Sequence, residues 1–189
     1  MRLTSKKLRS SLLAAATLFA QASLLPYVHG ADPLDTVQSL QREGRPAEAL
    51  AEADRFLATD PQDARMRFLK AVLLADLGRT NEATELLQQL TQDYPGLAEP
   101  YNNLAALSAA GGDYGRARDA LEHAVRLRPD YAVAHENLGD VYAALAAHEY
   151  AIAARLEPAR QGLSEKLERA RAIAPAPVAS PASGASSPK

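Results

Sequence analysis

Tyr101–Asp130 reads YNNLAALSAAGGDYGRARDALEHAVRLRPD. Its first part places Tyr101, Leu104, Ala105 and Ser108 on one side of a helix. Its second part does the same for Ala117, Ala120, Leu121 and Ala124. Apolar and small residues at steps of three and four are the pattern of an amphipathic helix. Between the two runs stands Gly111-Gly112-Asp113, and Pro129 closes the second. Glycine accepts the left-handed conformation that ends many helices, and Asp113 can cap the helix that follows. The stretch therefore predicts a helical hairpin, and a lone hairpin of this size cannot bury a core without neighbours.

The rest of the chain supplies them. Pro61, Pro95 and Pro129 are 34 residues apart, as are Gly44, Gly78 and Gly112. Ala49, Ala83 and Ala117 recur with the same period, and so do Val37, Ala71 and Ala105. A helix-turn-helix unit with this period, a small residue in each helix and a closing proline resembles the tetratricopeptide repeat (TPR) family. The third unit carries the resemblance most fully, through Asn103-Leu104-Ala105, Gly112-Asp113-Tyr114, Ala117, Leu121, Ala124 and Pro129. The resemblance covers residues 30–158 and implies an all-α solenoid of three full repeats, a truncated fourth and a C-terminal capping helix.

The first unit predicts helices over residues 33–43, with Asp32 as cap and Pro33 at the first helical position, and over 46–58. The second predicts helices over 64–77 and 80–92, the latter capped by Thr80, and has Lys70 where the family has leucine. The fourth begins with His135, Asn137-Leu138-Gly139 and Tyr142 in family positions, His135 taking the aromatic role of Tyr101. It then lacks the Gly-Asp-Tyr turn. Pro158 follows Pro129 by 29 residues, five short of the period. Ala146, Tyr150 and Ala153 match the second helix if the deletion lies in the turn. With no Gly or Pro from Asp140 to Glu157, residues 132–157 are expected to form one helix; a tight turn at Leu145–Ala147 is the alternative. Its apolar stripe would be Leu138, Tyr142, Leu145, Ile152 and Leu156. A last helix over 163–173 would cover the end of the solenoid.

The termini differ in composition from this body. Residues 1–30 join a basic segment (Arg2, Lys6, Lys7, Arg9) to an apolar run ended by Pro26. That is the layout of a secretory signal peptide, and the run is shorter than the about 20 residues of a membrane span. Cleavage is expected after Gly30, with Ala20-Gln21-Ala22 a second candidate site and an uncleaved inner-membrane anchor the alternative. The expected destination is the periplasm. Residues 174–189 are rich in Pro, Ala and Ser, which predicts a disordered tail.

Composition excludes several functions. The formal charge is −2, and the four cations of the N-terminal segment leave the remainder at −6. Such a body lacks the basic stripe of a nucleic-acid binder. There is no cysteine, hence no thiolate metal site and no thiol nucleophile. No two of the four histidines have the spacing that puts two ligands on one helix face. Gly111-Gly112 follows a helix rather than a strand, unlike a phosphate loop. No catalytic residues, metal, cofactor or small-molecule substrate are expected.

What remains is binding. The resemblance implies that the first helix of each repeat lines a concave groove, and that the groove residues are Arg65, Phe68 and Val72, then Glu99, Asn102, Asn103, Ala106 and Ala109, then Val133, Glu136, Asn137, Asp140 and Ala143. Asn103 and Asn137 recur one repeat apart, and a side-chain amide both donates to and accepts from a peptide backbone; bridging between turns is their other use. Some family members hold a terminal carboxylate with Lys and Arg at the places of Phe68, Glu99 and Glu136. The acids here point instead to a neutral or weakly basic polypeptide with small apolar side chains. The expected function is an exported, non-catalytic protein-interaction adaptor or scaffold of envelope complexes. A self-associating structural protein of the envelope, a homo-oligomer, is the alternative.

Overall fold

The computed structural model describes residues 32–174. The proposed signal peptide, its cleavage sites and the Pro/Ala/Ser-rich tail from residue 175 lie outside the described residues. Eight helices follow one another without a strand among the described residues: α1 Pro33–Arg42, α2 Pro46–Leu57, α3 Ala64–Asp76, α4 Thr80–Asp93, α5 Ala98–Ala110, α6 Tyr114–Leu127, α7 Ala132–Leu156 and α8 Leu163–Ile173.

Helix starts and stops have local causes. Asp32 Oδ1 accepts from the amide of Leu34 at 3.0 Å, ahead of Pro33. Asp63 and Asp113 cap α3 and α6 in the same way, through the amides of Met66 and Arg116. Gly44, Gly78 and Gly112 have φ of 72°, 72° and 81° and turn each first helix into its second. Only Gly112 of the Gly111-Gly112 pair is left-handed, since Gly111 has φ −80°. Thr80 does not cap α4. Arg79 holds the cap position and Thr80 is the first helical residue.

Each first helix packs on its own second helix and on the second helix of the preceding repeat. First helices also touch directly, α1 with α3 and α5 with α7, whereas the second helices α2, α4 and α6 stand apart from one another. Direct approach of first helices at the two ends of the stack fits the family arrangement, in which first helices line the concave side. The close approach within hairpins rests on the small residues. Val37, Ala71 and Ala105 from first helices and Ala49, Ala83 and Ala117 from second helices are all wholly buried. The core runs on from repeat to repeat, with Ala71, Leu87 and Leu90 packed against Leu104 and Leu107 of the next hairpin.

Departures from the repeat pattern are accommodated by charge pairing. Lys70, in a leucine position, reaches back to Asp54 of α2 at 2.7 Å. Arg67 fills the slot that holds Tyr101 one repeat later and is 7% exposed. Its guanidinium donates to Asp93 at 2.7 Å and Gln62 at 3.3 Å and lies 5.9 Å from the Tyr94 ring. A buried cation is tolerated only with such partners.

The fourth repeat is one continuous helix. α7 has 25 residues, about 37 Å at 1.5 Å per residue, roughly twice the length of α5 or α6. The tight turn at Leu145–Ala147 does not form. The expected apolar stripe is only partly covered: Leu138 and Leu145 pack against the core, half-buried, and the fully buried residues lie elsewhere. Ala134, Val141 and Ala144 are buried, while Tyr142 is 47% and Leu156 77% exposed. α7 packs on α6 with its first half, and α8 folds back along it after the turn at Pro158–Gly162. α8 buries Leu163 and Ala170 there. His135 does not take the role of Tyr101. Tyr101 lies against His123, ring centroids 4.2 Å apart, whereas His135 is exposed and its Nε2 sits 3.0 Å from the Pro129 carbonyl oxygen.

Candidate functional site: the concave face of α3, α5 and α7

The residues expected in the groove fall on the three inner helices in distinct states. On α3, Arg65 is exposed, Val72 half-buried, and Phe68 half-buried against the cluster of Ala71, Leu87 and Leu90. On α5, Ala106 is exposed and Ala109 half-buried. On α7, Val133 and Glu136 are exposed, and Asp140 and Ala143 half-buried.

The asparagines are organised further than their spacing suggested. Asn137 Nδ2 donates to Asn102 Oδ1 at 2.9 Å, and Asn102 Nδ2 donates to Asn103 Oδ1 at 3.2 Å. Asn102 is 6% exposed and sits in the middle of this chain of amides. The contact joins residues 35 apart rather than the 34 that separate Asn103 from Asn137. Asn103 Nδ2 at one end and Asn137 Oδ1 at the other have no partner among the described residues, and neither is a buried orphan. Each amide in such a chain polarises the next, which strengthens the terminal donor and acceptor. Asn102 is thus a bridge between α5 and α7, and the outer two present the hydrogen-bonding edges.

The charge layout differs from the simple acidic groove. Glu99 is neutralised by Arg128, 2.5 Å away, which also lies 3.7 Å from the centre of the Tyr131 ring. Glu136 and Asp140 on α7 and Arg65 on α3 have no ion-pair partner among the described residues, nor has Asp76 at the end of α3, which accepts from Gln41. The acids of α7 give the groove a negative end beside the neutral amides of α5. Sequence alone missed Arg128, because it lies 29 residues beyond Glu99 at the end of α6.

The inner wall is fastened unevenly. Gln41 Nε2 donates to Asp76 at 3.0 Å and ties α1 to α3. Asn137 and Asn102 tie α5 to α7. No side-chain hydrogen bond or ion pair joins α3 to α5 among the described residues. Among those residues, too, no helix is long and apolar enough to cross a membrane.

Such a face on such a stack defines a helical-repeat protein of the interaction type. Family models described as Tetratricopeptide repeat match residues 34–98 and 98–131, together just over half of the chain, and the chain belongs to that family. It shares 29% identity over 106 residues with the human protein O-mannosyl-transferase TMTC1, covering 56% of this chain and 12% of that protein. It shares 33% over 85 residues with the tetratricopeptide repeat and J domain-containing co-chaperone DNJ1 of Fusarium oxysporum f. sp. lycopersici, covering 45% and 16%. The chain therefore spans less than a fifth of either relative. Among solved structures, TTC0263, a thermophilic TPR protein of Thermus thermophilus, superposes with TM-score 0.55 at 26% identity over 74% of this chain and 80% of that one. A Thermobaculum terrenum O-GlcNAc transferase mutant gives 0.53 at 29%, over 61% and 22%. The repeats form a protein-interaction module. Two of these relatives are named as enzymes, each matched over a small share of its length.

Proposed function

We propose that this chain is a non-catalytic adaptor that holds an extended polypeptide along the concave face of α3, α5 and α7. The carrying observation is the amide chain Asn137–Asn102–Asn103, which leaves one donor and one acceptor facing the groove. A peptide backbone in extended form offers both carbonyls and N–H groups without regard to side chain. The small residues Ala106, Ala109 and Ala143 leave room beside it, and exposed Val133 offers it an apolar contact. The ligand is neutral or weakly basic, its cationic part toward Glu136 and Asp140. The N-terminal layout of basic segment, apolar run and Pro26 supports export to the periplasm, where an adaptor of this kind serves assembly of envelope complexes.

The test is a peptide array probed with the purified chain and with Asn103→Ala/Asn137→Ala. The expected result is selection of neutral or weakly basic peptides with small side chains, weakened about tenfold or more in the double variant, each lost hydrogen bond to a groove amide being worth on the order of 1 kcal/mol, with the helical fold retained by circular dichroism at a lowered melting temperature, since Asn102 loses both its partners. Equal binding by the two proteins refutes the groove assignment. N-terminal sequencing of the chain recovered from an expressing host tests export: a start at Ala31 supports it, and a start at Met1 refutes cleavage.

A further inference from the structure

The fourth repeat contains both halves of a hairpin that it does not close. In the three preceding repeats, the small residue of the first helix (Val37, Ala71, Ala105) is wholly buried under its second helix. The equivalent residue of the fourth is Gly139, where an added Cβ would meet nothing within 4 Å. Around it His135 and Tyr142 are exposed, and the Tyr142 hydroxyl reaches sideways to Glu122 of α6 at 2.9 Å. A place for a second helix is open on the first half of α7.

The second half of α7 carries the sequence of the helix that belongs there. Ala146, Tyr150, Ala153 and Pro158 stand where the third repeat has Ala117, Leu121, Ala124 and Pro129. The first three of those, on α6, are 0%, 1% and 0% exposed. Ala146, Tyr150 and Ala153 are only half-buried, with Lys166 of α8 over the Tyr150 ring at 5.8 Å. The segment cannot fold back onto its own α7, because the five residues equivalent to Gly112–Arg116 are missing and the helix runs straight through.

We infer that the open place is filled by the second half of α7 from a second copy of this chain. The occupant follows from the residues, since slot and filler are complementary parts of one repeat. A hinge too short to close within one chain is the condition that favours exchange of an identical element. The two α7 helices lie antiparallel about a two-fold axis near Tyr142–Ala143. Gly139 of each copy then meets Ala146 of the other, as Ala105 meets Ala117 in the third repeat. His135 meets the Tyr150–Ile152 turn, as Tyr101 meets His123. α8 stays on its own α7 segment and caps the completed fourth repeat. The inference is independent of the peptide reading of the groove.

Three measurements on the full chain test it. Light scattering across a dilution series is expected to show two chains per particle, dissociating at low concentration. Insertion of Gly-Asp-Tyr-Gly-Arg between Leu145 and Ala146 restores the missing turn and is expected to give a helical single-chain particle at every concentration. In the cysteine-free background, Gly139→Cys/Ala146→Cys is expected to oxidise to a covalent dimer. Within one helix those positions are about 10.5 Å apart along the axis, too far for an internal disulfide. A wild-type chain that stays single throughout the series overturns the inference. So does a dimer that survives the insertion and fails to crosslink.

Discussion

The turn residue ahead of each second helix shows how one position is solved in two ways. Asp113 caps α6 through its own carboxylate. One and two repeats earlier the same place holds Arg79 and Arg45, neither of which makes a side-chain cap. Each guanidinium instead forks onto the glutamate three residues on. Arg79 donates to Glu82 at 2.7 and 2.6 Å, and Arg45 to Glu48 at 2.7 and 2.7 Å. Those hydrogen bonds hold both glutamates below the usual carboxylate range and raise both arginines. A carboxylate lowered in the fold adds stability above its unfolded pKa and loses that contribution as pH falls through the folded value. Arg79→Ala is therefore expected to move the Glu82 titration up toward the ordinary glutamate value, with a flatter loss of stability in acid; carboxyl NMR through an acid titration reads this directly. The caps Asp32 and Asp113 were legible because an acidic residue before a helical run has one obvious use. The arginine forks were not, and Thr80 drew the assignment away from Arg79 because threonine is itself a common cap. Asn102 was expected in the groove, but its bridging role escaped for a different reason: its partner lies in the next repeat, and amide-to-amide bonds leave no periodic trace.

At the scale of the helix, the deciding quantity is how much room a Cβ has. Ala105 is wholly enclosed between α5 and its neighbours, so Ala105→Leu forces extra carbons into a filled contact and is expected to cost about 1–3 kcal/mol or more. Gly139 occupies the same place in α7 with open space around it. Gly139→Ala is expected to stabilise by about 0.5–1 kcal/mol, the helix-propensity difference. Urea denaturation of the two variants checks the contrast, and equal signs would show that position 139 has no room for a Cβ. The continuity of α7 could be read from the absence of Gly and Pro between residues 140 and 157. Its exposed stripe could not. Tyr142 and Leu156 share helical spacing with the half-buried Leu138, but spacing says which residues share a side and nothing about whether a neighbour exists to cover them. Only the packing of α6 and α8 shows that Ala134, Val141 and Ala144 are the covered side.

For the whole molecule, period and small residues were enough to place the turns and the order of packing, because every unit repeats one local solution. The charge layout of the groove needed three dimensions, since Arg128 reaches Glu99 from a different helix. A consequence lies in the inner wall, where α1 is tied to α3 and α5 to α7 but α3 is not tied to α5. A stack of linked units bends most where its links are weakest, and nearest-neighbour terms govern such stacks. Spin labels at Val72 and Ala106 are expected to give a broader distance distribution than labels at Ala106 and Ala143; equal widths would remove the difference in compliance. Apolar contacts, from Ala71, Leu87 and Leu90 to Leu104 and Leu107, cross this joint, and on the proposed reading a polypeptide that spans it would bear the entropic cost of the bending it stills. Among polypeptides of equal chemistry, such a groove would then favour those already stiff and extended before they arrive.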